Sequence, residues 1–331
     1  MKKIMFALVF GLLSVTSFSQ ENAKVNPQVF VELCETGNGP ACFLAGLSYQ
    51  VNENLESASI YFTKACAADD GDGCYMIGEM YQNGAGVNID LSIAAEFFFK
   101  ACSLNNGSGC ASVGLFAVFA NDFPKAIEIF TKSCDLESAE GCHYLAEMYT
   151  TGQGVKQDDF KAVEFFTKAC SFDEASGCSS LGVMYANGEG VKQDDFKAVE
   201  LYTKACSADD SDGCSNLGLA YVNGRGVKQD DLKAVELFTK ACSLDNGSAC
   251  SYLGVGHTIG RGVKQDDFKA VEFFRKSCSL EDGLGCWGLG YIYANGKGVR
   301  QNNQKALEYY GKACDLKETE GCKAYAELKK K

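Results

Sequence analysis

Apolar and small residues recur along this chain at helical spacing, in two alternating patterns. The first is clearest in Cys178-Ser-Ser-Leu-Gly-Val-Met-Tyr-Ala-Asn-Gly, where Leu181, Gly182 and Tyr185 stand at i, i+1 and i+4 and share one helix face. The second, Asp195-Phe-Lys-Ala-Val-Glu-Leu-Tyr-Thr-Lys-Ala-Cys206, places Glu200 and Lys204 four apart on a polar face, as do Glu96/Lys100, Glu128/Lys132, Glu164/Lys168, Glu236/Lys240, Glu272/Lys276 and Glu308/Lys312. Such pairs stabilise a helix by only a few tenths of a kcal/mol, so this is a solvated face without assigned function. The aromatics between them, Phe165/Phe166 or Tyr309/Tyr310, are assigned to the core. We call the two patterns helix A and helix B.

Glycine recurs on the packed face of helix A at positions 46, 78, 114, 182, 218, 254 and 290, and Ala146 replaces it in one unit. A glycine inside a helix costs roughly 1 kcal/mol against alanine. The repetition therefore predicts a neighbour too close for a side chain, and the small residue of helix B (Ala58, Ala94, Ala126, Ala162, Ala198, Ala234, Ala270, Ala306) is the expected counterpart. Loops such as Asn187-Gly-Glu-Gly-Val-Lys-Gln-Asp-Asp195 join A to B, with Gly188 and Gly190 free to take positive φ and Asp195 or its neighbour placed to cap helix B. The residue between the two glycines changes from loop to loop, which points to turn chemistry and not to a phosphate cradle.

All 18 cysteines fall into pairs eight residues apart: Cys34/Cys42, Cys66/Cys74, Cys102/Cys110, Cys134/Cys142, Cys170/Cys178, Cys206/Cys214, Cys242/Cys250, Cys278/Cys286 and Cys314/Cys322. Each pair flanks seven residues rich in Gly, Ser and acids, read as the turn from helix B to the next helix A. Antiparallel helices joined this way bring the two cysteines within disulfide reach, with Cα atoms about 5.5 to 6 Å apart. Each bridge then removes roughly 2.5 kcal/mol of unfolded-chain entropy. The spacing suits a zinc site poorly, and no metal or other cofactor is expected. From one pair to the next the interval is 32, 36, 32 and then 36 five times, a period that predicts a solenoid. A short helix over Asn26 to Leu33 comes first, then eight complete hairpins, and a last A helix begins at Cys322.

The start of the chain decides where such bridges survive. Lys2 and Lys3 precede an apolar run from Ile4 to Leu13, with Ser17 and Ser19 where a signal peptidase would look. Residues 1–19 are thus expected to be a cleaved leader and residues 20–331 a single domain, secreted or periplasmic and not held in a membrane. Removing two lysines takes the formal charge from −12 to −14, which argues against nucleic acid as a partner.

The helix A pattern Leu-Gly-x-x-Tyr-x-x-Gly-x-Gly-Val and the helix B pattern Lys-Ala-x-Glu-x-x-x-Lys-Ala resemble the Sel-one-like repeat, a relative of the tetratricopeptide repeat. With the second cysteine eight residues after the first, the chain is similar to the Helicobacter cysteine-rich proteins over essentially its whole mature length. Departures are Ala146 for glycine, and Ala117 and His257 for the tyrosine. The resemblance implies an all-α, right-handed αα-repeat solenoid with a disulfide in each inter-hairpin turn. It also implies a β-lactamase-type activity, since family members are commonly catalogued so. The residues do not announce that chemistry. Ser-x-x-Lys, Ser-Asp-Asn, Lys-Thr-Gly and Gly-x-Ser-x-Gly are all missing, and His143 and His257 are the only histidines. The catalytic residues stay unassigned.

Positions one, five and eight after the second cysteine vary most between units and share one stripe of helix A. Helix A lines the inner side of such solenoids, so the stripe is expected to face a groove. Tyr75, Glu79, His143, Glu147, Tyr252, Trp287 and Tyr291 are the candidate groove residues, the aromatics serving as anchors. His257 is read as a tolerated tyrosine replacement. The expected function is an exported monomeric scaffold that binds a peptide, a protein or a peptidoglycan-like ligand, with β-lactam hydrolysis as the alternative.

Overall fold

A computed structural model describes residues 26–330; the expected leader over 1–19 lies outside the described residues. Among the described residues there are eighteen helices and no strand. They fall into two compact units, one up to Leu104 and one from Asn105 onward.

The first unit holds α1 (Gln28–Cys34), α2 (Gly39–Val51), α3 (Leu55–Ala67), α4 (Gly71–Asn83) and α5 (Leu91–Ser103). The second holds α6 (Gly107–Phe119), α7 (Phe123–Asp135), α8 (Ala139–Thr151), α9 (Asp159–Ser171), α10 (Ala175–Asn187), α11 (Asp195–Ser207), α12 (Ser211–Asn223), α13 (Asp231–Ser243), α14 (Gly247–Ile259), α15 (Asp267–Ser279), α16 (Gly283–Asn295), α17 (Asn303–Asp315) and α18 (Thr319–Leu328). From α2 on, even-numbered helices are of type A and odd-numbered ones of type B.

The turns are tighter than the sequence suggests. Cys206 is the penultimate residue of α11 and Cys214 the fourth of α12, so both cysteines lie inside helices. What reads as a seven-residue turn is a three-residue connection, 208–210, followed by the first turn of helix A. Asp209 takes the left-handed conformation (φ 60°), and the Asp210 side chain caps α12 by accepting the Gly213 N–H. Helix A therefore starts before its cysteine: α18 begins at Thr319 and not at Cys322. At the other end Pro27 occupies the N-cap of α1, moving the expected Asn26–Leu33 helix to Gln28–Cys34. The two 32-residue units use the same three-residue device between A and B, with Glu53 and Asn121 left-handed. The other units use a seven-residue loop, such as 188–194, and those four extra residues account for the 36-residue period.

Eight cysteine pairs form disulfides with Cα–Cα separations from 4.4 to 4.8 Å, the shorter end of the usual range. Cys102 and Cys110 are disulfide-bonded as well, and among the described residues no cysteine is free.

The pairing is as expected, but the setting of the second cysteine is not. The sequence reading puts it at the end of a polar turn, opening a helix. Instead Cys42, Cys74, Cys110, Cys142, Cys178, Cys214, Cys250 and Cys286 are each the fourth residue of their A helix and at most 1% exposed. The cause is the short connection: the first turn of helix A precedes the cysteine and covers it, so its sulfur faces the core. Cys42 packs in one core cluster with Ala65, Cys74 with Phe62 and Ile77, and Cys142 with Phe130 and Leu145. Cys214 and Cys250 share a cluster with Leu217, Phe238 and Leu253, and Cys286 one with Phe274 and Leu289. These bridges are thus part of the hydrophobic core as well as cross-links, shielded from solvent reductants, whereas both cysteines of the last bridge, Cys314 and Cys322, are only partly buried.

The glycine of helix A faces an aromatic ring, not the expected alanine. A Cβ on Gly182 would lie 2.6 Å from the Tyr202 ring, one on Gly218 2.7 Å from Phe238, and one on Gly78 2.8 Å from Phe98. The ring sits four residues, one helical turn, beyond the alanine, and both are buried: Ala198 and Tyr202 are 2% and 6% exposed. A large side chain thus fills the space that glycine vacates, and the alanine lets the helices close around it. In the loops, Gly188 ends α10 in the left-handed conformation (φ 75°) and Asp194 caps α11. A Cβ on Gly190 would press into the Asp159 carbonyl at the start of the preceding B helix. That glycine is required twice, by its positive φ and by this contact.

Successive A helices touch one another, as in α6 with α8, α10 with α12, and α14 with α16. Within such pairs the variable stripes of neighbouring hairpins lie side by side.

Candidate functional site

The polar face of helix B is occupied from within. Of the expected i, i+4 pairs, Glu164–Lys168 closes at 3.1 Å. Other lysines reach back to the preceding hairpin: Lys204 Nζ donates to the Cys170 carbonyl (2.7 Å), Lys240 to Cys206 (2.6 Å), Lys276 to Cys242 (2.6 Å) and Lys312 to Cys278 (3.1 Å). Three of them also meet the left-handed acid of that turn, Asp173, Asp209 or Asp245, at 2.7 to 3.3 Å. Lys100 does the same in the first unit, donating to the Cys66 carbonyl (2.7 Å) and pairing with Asp69 (3.0 Å). Each of these carbonyls also accepts a turn N–H, such as that of Asp209 on Cys206 (3.2 Å), so the lysine is a second donor and a cation at the C-terminus of the previous B helix.

The A face differs. Position one, although variable, is the closed edge of the stripe: Ala111, Ser179, Ser215 and Ser251 are 0 to 6% exposed. It abuts the following hairpin. Ser251 Oγ, for instance, donates to Asp282 Oδ1 at 2.6 Å. Position five is half-open and lines cavities. One, of 460 Å³, is bordered by Leu115 and Val118 of α6, Glu147 and Thr150 of α8 and Val183 of α10, together with Glu189. A second of 220 Å³ lies along Val183, Leu219 and Arg225, and a third of 100 Å³ along Val222, Tyr252 and Val255. The first spans α6 to α10, and the next two follow it by one A helix each, along α10 and α12 and then α12 and α14, forming a trough.

The candidate residues form local pairs rather than one cluster. In the first unit the Tyr75 hydroxyl donates to Glu79 Oε1 at 2.6 Å, and the Tyr75 ring tilts against Phe98. In the second, His143 Nε2 meets Glu147 Oε1 at 3.3 Å while its ring packs on Tyr144 and Phe166. Trp287 and Tyr291 stack 6.0 Å apart on α16, with Lys297 Nζ 5.2 Å from the Tyr291 ring centre. Tyr252 lies at position two, off the stripe, yet enters the trough: it stacks on Phe238 at 5.0 Å and borders the third cavity. Burial pushes its hydroxyl pKa up, with the nearby Asp282 carboxylate adding to the effect. Tyr144, also at position two, is raised by burial and then by the carboxylates of Glu147, Glu140 and Glu174. Apart from Tyr252, the sequence reading misses position two, although it too varies, from Leu44 and Met76 to Tyr144, Asn216 and Gly288. His257 takes the tyrosine's place, stacked on Phe273 at 5.5 Å. Among the described residues no group of three metal-ligating side chains comes together, and no helix is long and apolar enough to cross a membrane.

The architecture defines a class: an αα-repeat scaffold of eight hairpins with cysteines bridged at the turns between them. The chain belongs to the Sel1 repeat family, matching the Sel1 repeat at residues 34–70, 71–106, 110–138, 139–171, 175–210, 211–246, 247–282 and 283–318. Among solved structures, c5321, a protective antigen of uropathogenic Escherichia coli strains displaying an SLR fold, is 26% identical, with 92% of this chain and 67% of that one covered and a TM-score of 0.65. A Sel1 repeat protein from Oxalobacter formigenes is 20% identical, covering 96% and 99%, with a TM-score of 0.63. Cysteine rich protein B (hcpB) of Helicobacter pylori is 37% identical over 40% of this chain and 94% of its own, with a TM-score of 0.34. No curated protein sequence matches the chain.

Proposed function

We propose that the chain is an exported, monomeric scaffold whose A-helix face in the second unit binds an extended segment of a peptide or protein. The observation that carries this is the trough: three cavities in step with successive A helices, lined where the repeats differ from one another. The disulfides need an oxidising compartment, which fits the leader expected over residues 1–19 and a secreted or periplasmic location. The protective-antigen description of the similar c5321 is consistent with export. A peptidoglycan-like fragment is the other ligand class the trough suits.

A photo-crosslinking residue at Val183 should give adducts with exported proteins or peptides, competed by unlabelled protein, while one at Glu200 on the exposed side of helix B gives none. Equal yields from both positions would remove the basis for this reading.

One arrangement favours hydrolysis as a second reading. His143 Nδ1 lies 3.5 Å from Ser176 Oγ while its Nε2 faces Glu147, the order of hydroxyl, imidazole and carboxylate found in acyl-transfer enzymes. The Ser176 hydroxyl is meanwhile held by Glu174 Oε1 at 2.6 Å. Turnover of a chromogenic β-lactam that follows the protein peak and disappears in Ser176→Ala would establish this reading; wild-type turnover no faster than buffer would end it.

A further inference from the structure

The trough is uneven in charge, and the unevenness points to the kind of segment it takes. In the second cavity the two charged side chains neutralise each other: Arg225 Nη2 meets Asp195 Oδ1 at 2.7 Å and also donates to the Ala186 carbonyl (2.6 Å). The third cavity repeats this with Arg261 and Asp231 at 3.0 Å, the arginine also donating to the Val222 carbonyl (3.1 Å). The first cavity has no such balance. Its only charged lining residues are Glu147 and Glu189. Glu189 accepts from Asn187 Nδ2 (3.1 Å) and meets no cation among the described residues, and Glu147 is about half exposed beside His143. The rest of that lining is largely apolar, including Leu115, Val118, Val183 and Met184.

Spacing constrains the segment further. Packed helices stand about 8 to 10 Å apart. A polyproline II segment rises about 3.1 Å per residue with three residues per turn, so every third side chain returns to the same side after about 9 Å. One such turn matches one step along the A helices. A β-strand, whose same-side residues recur every second position at roughly 7 Å, falls out of step.

We propose, building on the peptide-binding reading above, that the second unit takes a segment in the polyproline II conformation, with a basic side chain in the first cavity and apolar side chains three and six residues away in the second and third. The basic group meets Glu147 and Glu189, and its stem lies along Leu115 and Val183. Cavity size grades the apolar positions: 220 Å³ takes a leucine-sized side chain, and 100 Å³ a smaller one such as valine or proline.

The test uses the oxidised full chain and fluorescein-labelled, capped, proline-rich peptides made in both chain directions. The first carries Lys, then Leu three and Val six residues on. The second has Glu in place of Lys, and the third keeps the composition but sets the apolar residues two and four away. The first peptide should bind in one direction, more weakly as salt rises, and about threefold more weakly in each of Glu147→Gln and Glu189→Gln. Binding of the second or third peptide as tight as that of the first, yet blocked by Leu219→Asp, would overturn the charge and spacing argument and leave the docking face standing. If none of the peptides binds, the inference and the peptide-binding reading both fail. Circular dichroism of each variant separates lost binding from lost folding.

Discussion

The two faces of the second unit use polar groups in opposite ways. On the B side, Lys204, Lys240, Lys276 and Lys312 each donate to a carbonyl of the preceding hairpin, so the same residue type recurs at the same place. On the A side, Glu147, Val183, Leu219, Val255 and Tyr291 occupy one position in successive hairpins, so charge changes along it once and size more than once. Constancy marks a side chain fixed by its neighbouring repeat, and variation at a half-open position marks one that the fold leaves available. Position one shows the limit of the rule. It varies between His143, Ser179 and Trp287 and is nevertheless largely closed, because its side chains find local partners: Ser179 donates to the Ser176 carbonyl, His143 packs on Phe166 and Trp287 on Tyr291.

The largest effect should follow from breaking the fixed side at a disulfide. Replacing Cys206 and Cys214 together by Ser removes the link between α11 and α12, at a cost of roughly 2 to 3 kcal/mol. In a solenoid each unit touches mainly its neighbours. Hydrogen exchange should therefore accelerate in α10 to α13 while α16 and α17 of the same unit stay protected. A uniform rise along the whole unit would show a single cooperative block and contradict the local picture.

How much of this was legible in the sequence depends on the range of the interaction. The period, the two helix types and the eight-residue cysteine spacing are local features, and they lead directly to the solenoid and its bridges. The lysine contacts were not legible. Lys240 lies four residues from Glu236 and 34 from Cys206, and both separations recur with the period, so spacing alone cannot choose between them. The structure chooses the distant partner, where Lys240 meets the negative end of the preceding B helix and the Asp209 carboxylate together, whereas an exposed i, i+4 pair is worth little. Helix starts fall elsewhere than expected for a related reason. Gly213 looks like turn material, but it is the third residue of α12, held against Ala205 where a side chain would not fit. The burial of Cys214 beside it follows from the same three-residue connection and from nothing in the local sequence.

An intermediate effect is expected at Gly218, where two physical terms oppose each other. Alanine would raise helix propensity by about 1 kcal/mol. Its Cβ would also stand 2.7 Å from the buried Phe238 ring, and overpacking of that kind costs typically about 1 to 3 kcal/mol. Gly218→Ala should therefore lower stability by about 1 kcal/mol in denaturant titrations. Gly218→Ala combined with Phe238→Leu should lose less than the sum of the single changes, since both act on one contact. Strict additivity would mean that the ring is not what excludes the side chain.

The smallest effect sharpens the comparison, because it extends the fixed pattern to a hairpin that lacks it. Between the paired loop glycines, Arg225 and Arg261 reach back to Asp195 and Asp231, the first residues of the preceding B helices. The next loop carries Lys297, which lies over the Tyr291 ring, and Oδ1 of the corresponding Asp267 is buried without a hydrogen-bond partner. Arginine is longer and offers a fork of donors, whereas lysine is a single flexible point charge. Lys297→Arg should reach Asp267 as its two predecessors reach theirs and raise stability by about 0.5 kcal/mol. The converse change, Arg225→Lys, should lower it by a similar amount. If Lys297→Arg leaves stability unchanged while Arg225→Lys lowers it, then the carbonyl of the preceding hairpin, and not the aspartate, is what holds the arginine.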